Sequence, residues 1–206
     1  MQQPAFECKH RPVRLGIIGL GPRGETLLAT LMLMPEVAEI VAICDLRQDR
    51  IDKFTGILAH EKRPAAKCFR DYNDLLALPE VEAVLIPTSW NSHLQIASAA
   101  MRHGKYVGLE VGGASSLEEL WQLVHAAEST GVSCMMLENC CYGRNELLAL
   151  NLARRGLFGE LVHCSCGYEH DLSYMACEVE NGLERALHNL HRNGDLYPTH
   201  GLGPIA

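Results

Sequence analysis

The sequence predicts an α/β chain: a Rossmann-type, doubly wound parallel sheet, followed by the start of an α+β domain with an open sheet. Three observations predict it. Short apolar runs alternate with longer helical segments from residue 13 to about residue 137, which is the rhythm of a parallel sheet covered on both faces. The runs are apolar throughout, as in strands buried on both sides. Between the first run and the first helix lies Gly19-Leu20-Gly21-Pro22-Arg23-Gly24, where the glycine-rich turn of a dinucleotide-binding unit belongs.

The elements follow in order. Residues 13–18 make the first strand, ended by Gly19, and a helix over 23–34 stops at Pro35. The second strand is 40–44, with Val37 and Ala38 leading into it, and a helix over 48–60 follows. A short strand at 66–69 precedes a short helix at 71–78, which Asp71 or Asn73 can cap. Strand 81–86, helix 92–103 closed by Gly104, and strand 106–109 come next. The helix over 116–130 has its cap signal in Ser115-Ser116 and Glu118-Glu119 and stops at Gly131, and a strand at 132–137 closes the pattern. Residues 1–138 are read as a dinucleotide-binding domain on this basis.

After Glu138 the texture changes. Residues 144–156 read as a helix with Leu147, Leu148, Leu150, Leu152 and Ala153 apolar. Residues 160–168 alternate, which predicts a half-buried strand. From Glu169 onward the chain is polar and rich in His and Asn. One helix and one strand do not make a stable sheet, which needs about three strands or more, so residues 139–206 are read as a partial substrate domain.

Composition excludes several classes. The chain of 206 residues carries 18 Lys and Arg against 25 Asp and Glu, a net charge of −7. With no basic block, neither a nucleic-acid nor an anionic membrane surface is expected. No apolar run reaches the roughly 18 residues that span a bilayer, and residues 1–14 lack the apolar core and cleavage site of a secretory leader. Nine cysteines are an odd number, so a complete disulfide framework is not expected. They are read as mostly buried free thiols in a reducing cytoplasm, with Cys140-Cys141 as packed thiols.

The glycine turn carries the first functional reading. Gly19, Gly21 and Gly24 let backbone approach a pyrophosphate, and the helix N-terminus supplies N–H groups and positive dipole. Asp45 ends the second strand about 20 residues on, the place of an acid that hydrogen-bonds the ribose hydroxyls. A carboxylate there disfavours a 2′-phosphate, so NAD(H) is expected over NADP(H), with nearby Arg47 as the counter-signal. No metal is expected: His188, His191 and the 163–166 segment (His-Cys-Ser-Cys) offer donor atoms without two spaced ligand pairs.

Further on, Pro87-Thr88-Ser89-Trp90-Asn91-Ser92-His93 and Gly104-Lys105-Tyr106-Val107-Gly108-Leu109-Glu110 resemble the Gfo/Idh/MocA superfamily of NAD(P)-dependent sugar oxidoreductases. One feature departs: Glu110 is followed by Val111-Gly112 where the dehydrogenases have Lys-Pro, so the lysine that assists hydride transfer is absent. The 135–142 and 156–161 segments, Gly167-Tyr168-Glu169-His170-Asp171, and residues 192–203 with Tyr197-Pro198-Thr199-His200-Gly201 are similar to glycoside hydrolase family 109. Its members are NAD-dependent α-N-acetylgalactosaminidases, and the resemblance runs from about residue 14 to 206.

The resemblance implies roles residue by residue. Arg23 and Gly24 would lie on the cofactor pyrophosphate and Asp45 on the adenosine ribose. Trp90, Asn91, Ser92 and His93 would form a loop near the nicotinamide, although Asn91-Ser92 depart from the family pattern. Glu110, Val111 and Asn139 would complete the cofactor site. Tyr168, Arg185, Tyr197, Pro198, Thr199 and His200 would face the sugar, with His200 and Tyr197 catalytic. Plainer roles stand beside these: His93 as a helix cap, Trp90 as packing, Tyr168 as core, Arg185 as a solvated charge. The implied chemistry oxidises the sugar at C3, removes the C2 proton, eliminates the aglycone from C1, adds water and reduces C3 again. The partner is then a small-molecule glycoside, with assembly into identical copies left open. A sugar or inositol dehydrogenase, or an NAD-binding chain without turnover, are the alternatives.

Overall fold

The computed structural model describes residues 11–171 and 198–206. The chain forms two compact units, Met1–Met135 and Met136–Ala206. In the first, the elements run β1 (Val13–Ile18), α1 (Pro22–Met32), β2 (Ala38–Cys44), α2 (Gln48–His60), β3 (Lys67–Phe69), α3 (Tyr72–Leu76), β4 (Ala83–Ile86), α4 (Trp90–Arg102), β5 (Tyr106–Leu109), α5 (Leu117–Thr130) and β6 (Cys134–Met136). Strand order is β3-β2-β1-β4-β5-β6, and the β1–β2, β1–β4, β2–β3 and β4–β5 pairs are parallel. This is the doubly wound order, in which the winding reverses between β1 and β4 and ligands bind beyond the carboxyl ends of the strands at that switch.

Two cores hold the layers. On one face Ile17, Ile40 and Ile43 meet Leu28 of α1 and Ile51, Phe54 and Leu58 of α2. On the other, Ile18, Ala42, Cys44, Val84, Ile86 and Val107 meet Leu75 and Leu76 of α3 and Ile96, Ala97, Ala100 and Met101 of α4. Ile40 and Ile43 are an odd number of residues apart yet share a face. The β1–β2 register shifts between Leu15 and Gly16, which pair with Ile40 and Ala42, and the extra residue turns the strand over. At Gly16 a Cβ would stand 2.8 Å from Leu75 Cδ2, so the glycine is what lets α3 close onto β1.

Local chemistry sets the helix ends. Pro22 opens α1, where its fixed φ suits the first turn. Asp71 accepts from Asn73 N–H, and Ser116 accepts from Glu119 N–H while Glu119 accepts from Ser115 N–H. Gly131 closes α5 at φ +68°. α4 starts at Trp90 with Ser89 as its cap residue, two residues before the expected start, so residues 90–93 form a helical first turn. The Ser92 hydroxyl donates back to Ser89 O at 2.8 Å, which stabilises that turn. Among the described residues no helix is long and apolar enough to cross a membrane.

The second unit holds a short 3₁₀ turn, η1 (Asn139–Tyr142), then α6 (Arg144–Arg154) and α7 (Pro198–Ile205). The strand expected at 160–168 does not form: those residues carry no regular structure and are exposed. Alternation alone does not make a strand when no neighbouring strand takes up its N–H and C=O groups. The polar run at 198–200 is helical, with Pro198 in the first turn. The cysteines also differ from expectation. All seven described ones are free, but only Cys44 is buried, and Cys68, Cys164 and Cys166 are exposed. Burial, with Asp45 nearby, pushes the Cys44 thiol up to about 12.

Candidate functional site

The carboxyl ends of β1, β2, β4 and β5 assemble a candidate site in the first unit. Gly19 leaves β1 at φ +103°, and a Cβ there would lie 2.8 Å from Thr88 Cγ2. At Gly24 a Cβ would be 2.4 Å from the Gly19 carbonyl oxygen, so this glycine allows α1 to start tight against the turn. Gly21 differs. A Cβ there would meet only the Arg50 guanidinium, at 3.6 Å. Two glycines thus shape the turn, and the third leaves an open cradle beside the N-terminus of α1, where Gly21 makes no side-chain cap. Those N–H groups and that space fit a dinucleotide pyrophosphate.

Asp45 is buried, and its carboxylate holds the turn from below. Oδ2 accepts from Leu20 N–H at 2.7 Å and Oδ1 from Arg47 N–H at 2.8 Å. Arg50 Nη1 lies 3.4 Å from Oδ2. The Arg47 side chain turns away and pairs with Asp49 at 2.7 Å. Arg50, not Arg47, is therefore the cation whose side chain lies beside Asp45. The sequence singles out only Arg47, yet Arg50 stands one helical turn into α2, where an i, i+3 partner of the cap residue returns to the same edge.

On the other side of the switch, Arg23 Nε donates to Glu110 Oε1 at 2.7 Å, and Glu110 is buried at the end of β5. Val111 is buried beside it. Gly112 takes φ +80°, and a Cβ there would strike the Trp90 indole at 2.5 Å. Proline, fixed near φ −65°, does not fit this turn. A glycine at this φ thus stands where the resemblance puts a proline, and Val111 where it puts the lysine. His93 is fully buried, with Nε2 3.0 Å from Thr88 O, and burial holds its pKa below the ordinary value. Its side chain ties the strand-end segment together, while Asn91 in the same turn is exposed. Lys105 is buried too, donating to the Leu78 and Val81 carbonyls at 2.7 and 2.8 Å, a packing role.

In the second unit, His200 on α7 donates from Nδ1 to Glu138 Oε1 at 2.6 Å. Their side chains are 8% and 7% exposed. Cys140 N–H donates to the same oxygen at 2.9 Å. Burial alone would raise the Glu138 pKa, but the Cys140 N–H and His200 outweigh it and hold the carboxyl below its ordinary value. The Tyr168 ring meets His200 edge-on, centroids 4.5 Å apart. The two glycines of α7 permit this approach: a Cβ at Gly201 would lie 2.9 Å from Cys166 Sγ, and one at Gly203 would lie 2.7 Å from Cys141 Sγ. Tyr168, Thr199 and His200 thus gather, with Pro198 exposed at the start of α7 and Asn139 exposed at the start of η1. Arg185 and Tyr197, like His188 and His191, lie outside the described residues. Glu138 was not singled out from sequence, because it reads there as the end of a strand.

Glu138, Cys140 and His200 donor atoms all lie within 4.8 Å of one another. The 2.6 Å contact is a charge-assisted hydrogen bond. Two tetrahedral zinc ligands with bonds of about 2.0 Å would stand about 3.3 Å apart.

Residues 13–138 match the family model described as oxidoreductase family, NAD-binding Rossmann fold. The chain belongs to the Gfo/Idh/MocA oxidoreductase family. Residues 142–206 match the glycosyl hydrolase 109 C-terminal domain. Relatives named glycosyl hydrolase family 109 protein include one from Streptomyces filamentosus, 42% identical over 94% of this chain and 40% of its own length. Another, from Solibacter usitatus, is 41% identical over 94% of this chain and 46% of its own length. The chain thus spans less than half the length of these family 109 relatives. Among solved structures, scyllo-inositol dehydrogenase from Lactobacillus casei matches at 19% identity over 73% of this chain and 44% of its own, with a TM-score of 0.66. The same enzyme with bound NAD(H) and scyllo-inositol gives 0.65. These structures share the fold. The family member described here carries an NAD-binding Rossmann domain, and it is similar to proteins named glycosyl hydrolase family 109.

Proposed function

We propose that this protein is an NAD-dependent glycoside hydrolase that releases terminal α-N-acetylgalactosamine without net oxidation. The observation that carries the reading is the Glu110-Val111-Gly112 turn, which has neither the lysine nor a backbone compatible with the proline of the dehydrogenase loop. The bound dinucleotide supplies a hydride acceptor and donor for C3 of the sugar. A ketone at C3 acidifies C2–H, and His200 is assigned to remove that proton as the C1–O bond breaks. Water then adds at C1, and the imidazolium returns a proton to C2. Tyr197 is assigned as the second acid/base group, with Tyr168, Arg185, Pro198 and Thr199 binding the sugar. Gly19, Gly21, Arg23, Gly24 and Asp45 hold the pyrophosphate and adenosine half, and the Trp90–His93 turn, Glu110, Val111 and Asn139 the nicotinamide half. The acidic chain and its free thiols support a cytoplasmic setting, a small-molecule glycoside as partner, and no nucleic-acid or membrane partner.

An aryl α-N-acetylgalactosaminide assay with simultaneous NADH absorbance tests this. Phenol release without NADH accumulation is expected, and His200→Ala should lower turnover about 10²-fold or more. Sugar oxidation with NADH formed in equal amount would instead establish a dehydrogenase, the reading that the fold neighbours also fit.

A further inference from the structure

We propose that Glu138 is the positioning residue for His200, locking its imidazole with the proton on Nδ1 so that Nε2 is the nitrogen that exchanges protons with the sugar. The role of Nε2 rests on the glycosidase reading, whereas the lock rests on geometry alone. An ionised carboxylate only accepts, so at 2.6 Å from Oε1 the Nδ1 atom carries the hydrogen. The carboxylate is itself fixed, because Glu138 caps η1 and the same oxygen takes the Cys140 N–H. The imidazole is fixed in turn by the edge of Tyr168. Its helix can lie this close because position 203 has no Cβ: one there would stand 3.2 Å from Glu138 Cγ. Both side chains are nearly excluded from solvent, where a charge-assisted hydrogen bond is strong.

This is the arrangement in which a third group orients a base. A neutral imidazole in water has two tautomers, and only the Nδ1–H form leaves Nε2 able to accept a proton. An orienting carboxylate selects that form and offsets the charge of the imidazolium that results. A group that acts only by orienting the base is expected to cost turnover more than affinity when replaced.

Two-bond proton–nitrogen correlations on the isotope-labelled chain read the tautomer of His200, assigned by its loss in His200→Gln. The native chain should show the Nδ1–H form alone. Glu138→Gln keeps an acceptor for Cys140 N–H and should fold, by circular dichroism, while admitting the Nε2–H form. Its kcat should fall about 10-fold or more at nearly unchanged KM, for loss of an orienting charge. In Glu138→Ala, added acetate should restore both the Nδ1–H signal and part of the turnover. An unchanged tautomer in Glu138→Ala without acetate, or unchanged kcat in Glu138→Gln, overturns the assignment. So does stoichiometric zinc in the purified protein whose removal alone brings out the Nδ1 proton. A locked tautomer in a protein with no glycosidase turnover upholds the Glu138 lock and overturns the glycosidase reading instead.

Discussion

Glu82 shows how a single side chain ties down the start of the sheet. Arg11 Nη1 donates to it at 2.8 Å and the Arg14 N–H at 3.0 Å. The Arg11 hydrogen bond, then the Arg14 N–H, carry its pKa from 4.5 down to about 2. A carboxyl depressed in the folded state adds stability that is complete above its unfolded pKa and is lost as pH falls through the folded one. Native protein should therefore lose stability between about pH 4.5 and 2 more steeply than Glu82→Gln, followed by circular dichroism. Coincident acid-unfolding curves would show that the pair contributes nothing. At this scale the sequence is only partly legible. Asp45 stands out by its spacing after the glycines, and His200 by its motif. Arg50, Glu138 and the Gly112–Trp90 contact do not, because each acquires its role from a neighbour 5, 62 or 22 positions away along the chain. Cysteine burial departs from expectation for the same reason: an apolar neighbourhood in sequence, as at Cys134, is not burial until another layer covers it.

The glycine turn makes the sharpest element-scale prediction, since its glycines are needed for different reasons. Gly24→Ala puts a Cβ 2.4 Å from a backbone oxygen that cannot move aside. It should destabilise the fold by about 1–3 kcal/mol, read as a lower unfolding midpoint. Gly21→Ala meets only the Arg50 guanidinium, at an ordinary contact distance of 3.6 Å, and should leave the midpoint in place while weakening NAD binding, read by fluorescence titration. Equal loss of stability in both, with NAD affinity kept in Gly21→Ala, would remove Gly21 from the cofactor cradle. Elements whose own residues decide them were legible. α2 and β5 have the bounds their apolar pattern gives, and Asp71, Ser116 and Gly131 cap as their chemistry dictates. Elements that depend on distant partners were not. Among the described residues the 160–168 alternation has no strand to pair with, and α7, with its two glycines and Pro204, has little intrinsic helix propensity. It is helical because its glycines let it lie against Glu138, Cys141 and Cys166.

For the whole molecule, the doubly wound first unit was legible because short apolar strands alternate with helices in one simple pattern, while the second unit carries its chemistry in contacts between separated segments. The first unit makes a prediction about cofactor choice. Asp45 lies where a 2′-phosphate would bring two negative charges together, so NAD(H) should bind more tightly than NADP(H) in parallel titrations. Asp45→Ala should narrow the difference, and Arg50→Ala should widen it by removing the one cation beside the acid among the described residues. A native preference for NADP(H) would reverse the assignment of this edge. The central claim, that sugar is cleaved through reversible oxidation rather than simply oxidised, is reached most directly by isotope exchange. An aryl α-N-acetylgalactosaminide is turned over in D₂O and the released sugar is examined by NMR. The account predicts deuterium at C2, because that proton leaves before water adds, with no NADH accumulating. N-acetylgalactosamine released with its C2 hydrogen intact would contradict it.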